Sequence, residues 1–318
     1  MTLVTIGIPF YNAEETLADA VRSVFAQTWQ DWELILLDDG STDGSLEIAR
    51  AVADPRVRVI SDGRNLGLPA RLNQIAREAE SEYIARMDAD DLMSPVRIQR
   101  EMEVLNRNPE IDLVSAGTFS LDESDRLIGV RCADVSRVTR ADLAVWRVEI
   151  VHAALLGRKE WFLRNPYSGD YPLAEDRELW LRTALNGDLN LLLIQELLYY
   201  YRESSSCSSC RKVYRAYQSL LKLNRRYGPR LFDSRAAYIK SRLKLWFRAF
   251  AVTLICAAGA GRLRQLFRNR KKASAEYCTL FEKEMRTIKG TVVPGIDEPG
   301  ASGDLDTRQN GTDTLNSR

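Results

Sequence analysis

The chain has one histidine and five cysteines in 318 residues. A single imidazole leaves carboxylates as the main source of metal ligands. An odd set of cysteines without regular spacing excludes a secreted disulfide framework and leads us to expect a reducing, cytosolic setting. Cys207-Ser208-Ser209-Cys210 has the spacing of half a zinc site or a redox pair, but no second pair completes four ligands. An excess of one charge is also missing: 45 Lys and Arg against 44 Asp and Glu give +1, which argues against nucleic-acid binding by bulk electrostatics. Met1-Thr2-Leu3-Val4-Thr5-Ile6 lacks a basic start and a long apolar core, so it reads as a strand and not a signal peptide. The apolar run Trp246–Ala260, about 15 residues, falls short of the ~20 a spanning helix needs.

What is present is a 45% hydrophobic chain, enough for a full core, with acidic clusters at the ends of apolar runs. In Tyr83-Ile84-Ala85-Arg86-Met87-Asp88-Ala89-Asp90-Asp91, three carboxylates fall within four positions and repel one another unless a cation sits among them. Oxygen ligands at a strand end suit Mg²⁺ or Mn²⁺, hard ions that keep waters and bind substrate phosphates. Glu33–Leu37 runs into Asp38-Asp39-Gly40-Ser41-Thr42-Asp43, and Tyr171–Ala174 runs into Glu175-Asp176. In an open α/β sheet the crevice beyond the carboxyl ends of the strands is where ligands bind, so these three acidic ends are expected to converge there around one ion.

Short apolar runs alternate with helical segments up to about Val114, the pattern of a parallel sheet flanked by helices. Strands are expected near Leu3–Ile8, Glu33–Leu37, Val57–Ile60 and Glu82–Met87. Asn12 with Glu15 makes a capping box for the first helix, and Pro69 suits the first turn of another. From 115 the pattern is more antiparallel, with strands near Ser115–Leu121, Leu127–Arg131, Glu149–Leu156, Leu189–Ile194 and Leu197–Tyr201 and a helix over Glu175–Asn186. Beyond Ser208 the chain reads as helical and basic. From Gly290 its small polar residues predict a disordered tail.

Ile8-Pro9-Phe10-Tyr11-Asn12, Leu37-Asp38-Asp39-Gly40-Ser41-Thr42-Asp43, Asn65-Leu66-Gly67, Asp88-Ala89-Asp90-Asp91 with Pro95 and Arg97-Ile98, and Ala174-Glu175-Asp176-Arg177-Glu178-Leu179-Trp180-Leu181-Arg182 form an ordered set. Each is common alone; together, over roughly the first two-thirds of the chain, they resemble the inverting family 2 glycosyltransferases. The resemblance implies a GT-A type, Rossmann-like, mostly parallel α/β sheet with a smaller mixed acceptor half and a helical C-terminal extension. On that reading residues 1–114 bind the nucleotide sugar, 115–205 hold the acceptor, 206–289 form the basic extension and 290–318 the tail. It also implies a nucleotide-sugar donor, most often a UDP-sugar, a divalent Mn²⁺ or Mg²⁺, and a saccharide acceptor.

Carried over by position, Pro9, Tyr11 and Asp39 resemble the nucleoside pocket, the Tyr11 ring against the base and Asp39 accepting from a base N–H. Arg71 is similar to a family arginine near base and diphosphate. Asp88 is implied to contact ribose and, with Asp90, the metal. Asp176 resembles the catalytic base, with Glu175 beside it to orient or tune it and partial burial to raise its pKa. His152 reads either as a metal or acceptor contact or as a hydrogen-bonded structural residue on a strand. Arg202 reads as a phosphate contact or a salt bridge. Trp161 and Trp180 read as acceptor wall or as core.

Basic residues such as Arg242, Lys244, Arg262 and Arg264 flank the 246–260 run, which suits a helix lying in an anionic membrane interface as well as a buried or oligomeric helix. A peripheral position at the cytoplasmic membrane face would fit a lipid-linked saccharide in cell-surface polysaccharide assembly. Two rivals remain: transfer directly to polyprenyl phosphate, which needs no strong base, and a non-catalytic nucleotide-sugar-binding membrane adaptor, which has no use for Asp176. A nucleotidyltransferase would carry a glycine-rich basic loop where Pro9-Phe10-Tyr11-Asn12 stands.

Overall fold

Val4–Phe10 (β1) is apolar at nearly every position and buried along its whole length, as a strand flanked on both sides and covered on both faces must be. In the computed structural model, which describes residues 3–145, 148, 150–203, 210–257 and 270–297, it lies inside a nine-stranded sheet. Leu17–Phe25 (α1), Trp32–Asp38 (β2), Ser45–Ala51 (α2), Val57–Ile60 (β3), Leu68–Glu78 (α3) and Tyr83–Arg86 (β4) follow it. β2 and β4 pair parallel to β1, with Phe10 opposite Asp38 and Gly7 opposite Arg86, and β3 pairs parallel to β2. Gly7 lets α3 lie directly on the sheet: a Cβ there would come within 2.4 Å of Ile75.

The second half is mixed, as expected. Leu92–Met93 (β5), Arg97–Arg107 (α4), Leu113–Leu121 (β6), Leu127–Arg131 (β7), Arg140–Val145 (α5), Leu155–Arg158 (β8), Lys159–Arg164 (α6), Glu175–Leu185 (α7) and Leu191–Arg202 (β9) complete it. The sheet order is β3-β2-β1-β4-β8-β6-β9-β5, with β7 on β6; β8 runs antiparallel to β4 and β6, and β9 runs parallel to β6. The two segments expected at 189–194 and 197–201 are one strand, whose register on β6 shifts near Gly117. Trp161 and Trp180 stack 6.4 Å apart in the core and form no acceptor wall.

Three sequence expectations change. Asn12 does not cap α1, which starts at Leu17 after Thr16. Asn12 adopts a left-handed backbone, and its Oδ1 accepts from the Thr42 N–H at 2.8 Å, so its short amide joins two turns. His152 sits in a short 3-10 helix, His152–Ala154, ahead of β8 and not on a strand. Residues 290–297, expected within a disordered tail, are ordered. Ile288, in Ala275–Lys289 (α10), and Val293 are fully buried, the Ala53 N–H donates to Pro294 O at 2.8 Å, and Asp297 pairs with Arg22. Residues 298–318 and Cys207 lie outside the described residues.

Between the sheet and α10, the chain forms Cys210–Leu231 (α8) and Arg235–Ala257 (α9). α8 is fixed to α7 by the Tyr227 hydroxyl, which donates to Glu178 Oε1 at 2.6 Å. Among the described residues, no helix is long and apolar enough to cross a membrane.

Candidate active site

The register puts the acidic ends at one edge of the sheet. Asp39 follows Phe10's partner on β2, Asp88 lies two residues beyond Arg86, the partner of Gly7 on the other side of β1, and Tyr11, just past the end of β1, is half-exposed. Asp39 is buried. Its carboxylate accepts from the N–H groups of Leu66 (2.7 Å) and Gly67 (3.0 Å) and from Arg71 Nε (2.9 Å). Gly40 permits this close approach of two turns, with φ of +76° and room for no Cβ against the Arg64 backbone.

Arg71 is fully buried, and its guanidinium donates to Asp39, Asp62, Gln74 and the Arg64 carbonyl. With its five donors engaged by the protein, it shapes the pocket through Asp39 and has none left for a diphosphate.

Asp88, Asp90 and Asp91 offer ligand oxygens within 4.8 Å of one another, the one group among the described residues able to hold an ion. Asp39, Asp176 and His152 are not in it, so the expected convergence of all three acidic ends around one ion is narrower in fact. Asp91, passed over among the ligands suggested by resemblance, completes the group. It is buried; Oδ1 accepts from the Arg202 N–H at 2.8 Å, while Oδ2 has no hydrogen-bond partner of good geometry beside the Tyr199 hydroxyl. Burial, then the charges of Asp90 and Asp88, push its pKa well above the carboxylate range. Asp90 reaches solvent yet is crowded by protein, and crowding followed by the Asp88 charge pushes it up to about 6. Three oxygen donors with frustrated charge and one orphaned lone-pair site fit a hard divalent cation.

Arg86, the last residue of β4, connects this cluster to the second acidic pair. It is buried, and Nη2 donates to Asp88 Oδ1 at 2.7 Å; its charge also interacts at longer range with Tyr167, Tyr199 and Glu175. Tyr167 in turn feels Asp176, Asp88 and Glu175. Glu175 and Asp176 open α7. Burial raises the pKa of both, for Glu175 with help from Asp176; for Asp176 the Arg177 charge and N–H pull the other way. A buried carboxylate whose pKa is raised is a stronger proton acceptor than an ordinary one.

His152 Nε2 meets the Tyr167 hydroxyl at 2.8 Å, and burial and the Arg86 charge hold its pKa well below the ordinary value. It is therefore a neutral partner that orients Tyr167. Arg202 forms a salt bridge: Nε and Nη2 fork onto Asp125, and Nη1 donates to the Asp90 carbonyl at 3.0 Å. It braces the acidic turn, its backbone N–H bonding Asp91 and its side chain the Asp90 carbonyl. Arg86, Tyr167 and Tyr199 escaped sequence reading. A charged residue inside an apolar strand and a Tyr199-Tyr200-Tyr201 run were available as signals for two of them; Tyr167 had none.

A parallel half joined to a mixed half through one continuous sheet, with an acidic turn after β4 and a carboxylate pair opening α7, is the architecture of a glycosyltransferase of the GT-A fold. The model of glycosyl transferase family 2 matches residues 5–140. EpsE of Bacillus subtilis, named as a glycosyltransferase, is 34% identical over 209 residues, covering 64% of this chain and 73% of EpsE. WfgD of Escherichia coli, named as a UDP-Glc:alpha-D-GlcNAc-diphosphoundecaprenol beta-1,3-glucosyltransferase, is 25% identical over 210 residues, 66% of this chain and 81% of WfgD. The solved mannosyltransferase of Pyrobaculum calidifontis in complex with GDP-Man and Mn²⁺ shares the fold at a TM-score of 0.53 and 16% identity, over 90% of this chain and 84% of that one. The chain belongs to glycosyltransferase family 2.

Proposed function

We propose that this protein transfers a hexose, with inversion, from a UDP-sugar to a hydroxyl of a lipid-linked saccharide at the cytoplasmic face of a membrane, in cell-surface polysaccharide assembly. The observation that supports the reading is Arg86, which is paired with Asp88 and whose charge also acts on Glu175 and Asp176, so that one buried cation links the acidic turn electrostatically to the carboxylate pair. The likeness to WfgD, whose named acceptor is a diphosphoundecaprenol-linked sugar, supports the donor and acceptor classes. Mn²⁺ in the Pyrobaculum complex supports the metal class, Mn²⁺ or Mg²⁺.

Tyr11 stacks on the base, with Pro9 forming the floor and Asp39 at its edge, and Asp88 takes ribose. Asp88, Asp90 and Asp91 would hold a divalent ion, which would supply positive charge to the leaving diphosphate. Asp176 accepts the proton of the attacking hydroxyl as the sugar–diphosphate bond breaks and the new C–O bond forms on the opposite face of the sugar. The nucleoside diphosphate leaves with the bonding pair, and the proton remains on Asp176. Glu175 keeps the local potential negative and Asp176 basic.

The test is a donor screen with Mn²⁺ followed by Asp176→Asn. Transfer should fall by about 10²–10⁴-fold, while protection of the fold by UDP-sugar stays at the parental level. A variant that transfers at the parental rate would remove Asp176 from the role of base.

A further inference from the structure

α9 turns back on α8 through Phe232–Ser234, so closely that a Cβ on Gly228 would meet the Tyr238 ring at 2.4 Å. Neither helix contains an Asp or Glu, whereas α8 carries seven Lys or Arg and α9 five. Between them lies an open groove of about 790 Å³ lined by Leu221, Ile239, Leu243 and Trp246, with Lys222, Arg225 and Arg242 at its rim. Ile239, Leu243, Trp246, Phe247 and Phe250 are 46–61% exposed, and the Trp246 and Phe250 rings stack at 5.7 Å.

The position of this groove is as informative as its lining. On its other side, α8 holds the segment that leads into Asp176: Ser219 Oγ donates to Pro172 O at 2.8 Å, Lys222 Nζ donates to Asp170 O at 3.1 Å, and the same ammonium lies 4.8 Å from the Tyr171 ring centre. Lys222 therefore belongs both to the groove and to the contacts that hold the 170–172 segment ahead of Asp176. The chain from Asp170 to Asp176 can reach no farther than about 20 Å even when extended.

We infer that the α8–α9 groove binds the lipid-diphosphate part of the acceptor, Lys222, Arg225 and Arg242 taking the diphosphate and Leu221, Leu243 and Trp246 the first part of the polyprenyl chain. The inference rests on the reading of the acceptor as lipid-linked. A soluble anion would not need the apolar floor. A bilayer surface alone would not need a concave site whose cationic rim adjoins the loop of the base. The acidic-free pair of helices complements an anionic amphiphile, and an ammonium with one donor spent on Asp170 has two left for a phosphate. Seated there, the lipid anchor would present its sugar toward Asp176 while Phe247 and Phe250 rest against the bilayer.

The experiment is flotation of the full chain with phosphatidylcholine vesicles containing either undecaprenyl diphosphate or phosphatidylglycerol at matched surface charge. Binding should favour the diphosphate lipid by at least about tenfold, and the triple variant Lys222→Ala, Arg225→Ala, Arg242→Ala should lose that preference. In parallel, the thermal shift given by UDP-sugar with Mn²⁺ should be the same in both proteins. Equal binding to the two vesicle types or preference retained by the triple variant would each overturn the groove assignment. So would a dimer in sedimentation that Trp246→Glu dissociates, because the face would then meet a second copy. Absence of any UDP-sugar shift in the parent would instead count against the transferase reading, separately from the groove.

Discussion

The backbone N–H of Arg202 donates to Asp91 Oδ1 at 2.8 Å, joining residues 111 positions apart and fixing the acidic turn to the end of β9. Both groups are buried, so removing the acceptor strands the N–H. Asp91→Ala should lose about 1–3 kcal/mol of stability, while Asp91→Asn, which keeps a carbonyl acceptor, should stay within about 1 kcal/mol of the parent. Asp91→Asn should nevertheless weaken Mn²⁺ binding, because an ion ligand has become neutral. Urea unfolding and calorimetric Mn²⁺ titration check the two halves; equal stability of the variants would show that the Arg202 contact contributes nothing.

Arg86 favours the ionised forms of Glu175 and Asp176. Replacing it by Met removes that cation, so both carboxylates hold their protons to higher pH. The rising limb of kcat/KM against pH should then shift upward, and loss of the charged hydrogen bond to Asp88 should cost about 1.5–3 kcal/mol. Arg86→Lys should restore part of the profile. An unmoved limb in Arg86→Met would disconnect Arg86 from the base.

Asp90 is pushed up to about 6 from its ordinary value of 3.8. In the ion-free protein the folded state then binds the proton more tightly than the unfolded state does. That contribution to stability is present at low pH and is lost as pH rises from about 4 through about 6. A bound dication has the opposite preference, for the carboxylate. Mn²⁺ affinity should therefore rise by at least about tenfold between pH 5 and 7, with Asp91 adding to the rise, and Asp90→Asn should reduce the slope. Titrations across this range give the answer, and a flat parental profile would contradict it.

Ile288 on α10 is fully buried among Leu92, Phe119 and Tyr200, and the Tyr200 hydroxyl donates to Glu284 at 2.5 Å on the same helix. Lys289 pairs with Asp19 and Asp125, the latter also the partner of Arg202. α10 thus belongs to the transferase fold and adjoins the residues that brace the acidic turn. Ile288→Ala should cost about 2–5 kcal/mol and lower the midpoint of the whole unfolding transition. A separate, earlier transition for α10 would mean that it docks as an independent unit.

Much of the nucleotide-binding half was legible because its strands are continuous apolar runs ending in acidic turns, a local pattern. The capping box at Asn12 failed because the competing hydrogen bond, to Thr42, lies on a different turn. The strand expected through His152 failed because the apolar residues there pack as a 3-10 turn against the core, a choice periodicity over so few positions does not make. Residues 290–297 looked too polar to order, yet Val293 and Ile296 find a ready-made apolar surface beside α2 and α1.

The sequence by itself determined the α/β class, the acidic turn at Asp88–Asp91 and the carboxylate pair at Glu175-Asp176, since strand length, turn chemistry and spacing along the chain are local properties. Tertiary structure alone decided which charges meet. Arg71 is consumed by Asp39 and Asp62, Arg202 by Asp125, and Arg86, unremarkable in the sequence, stands between the two acidic groups. Burial and the direction of a guanidinium depend on residues dozens to hundreds of positions away, and their energies are set by the packed arrangement that brings those residues together.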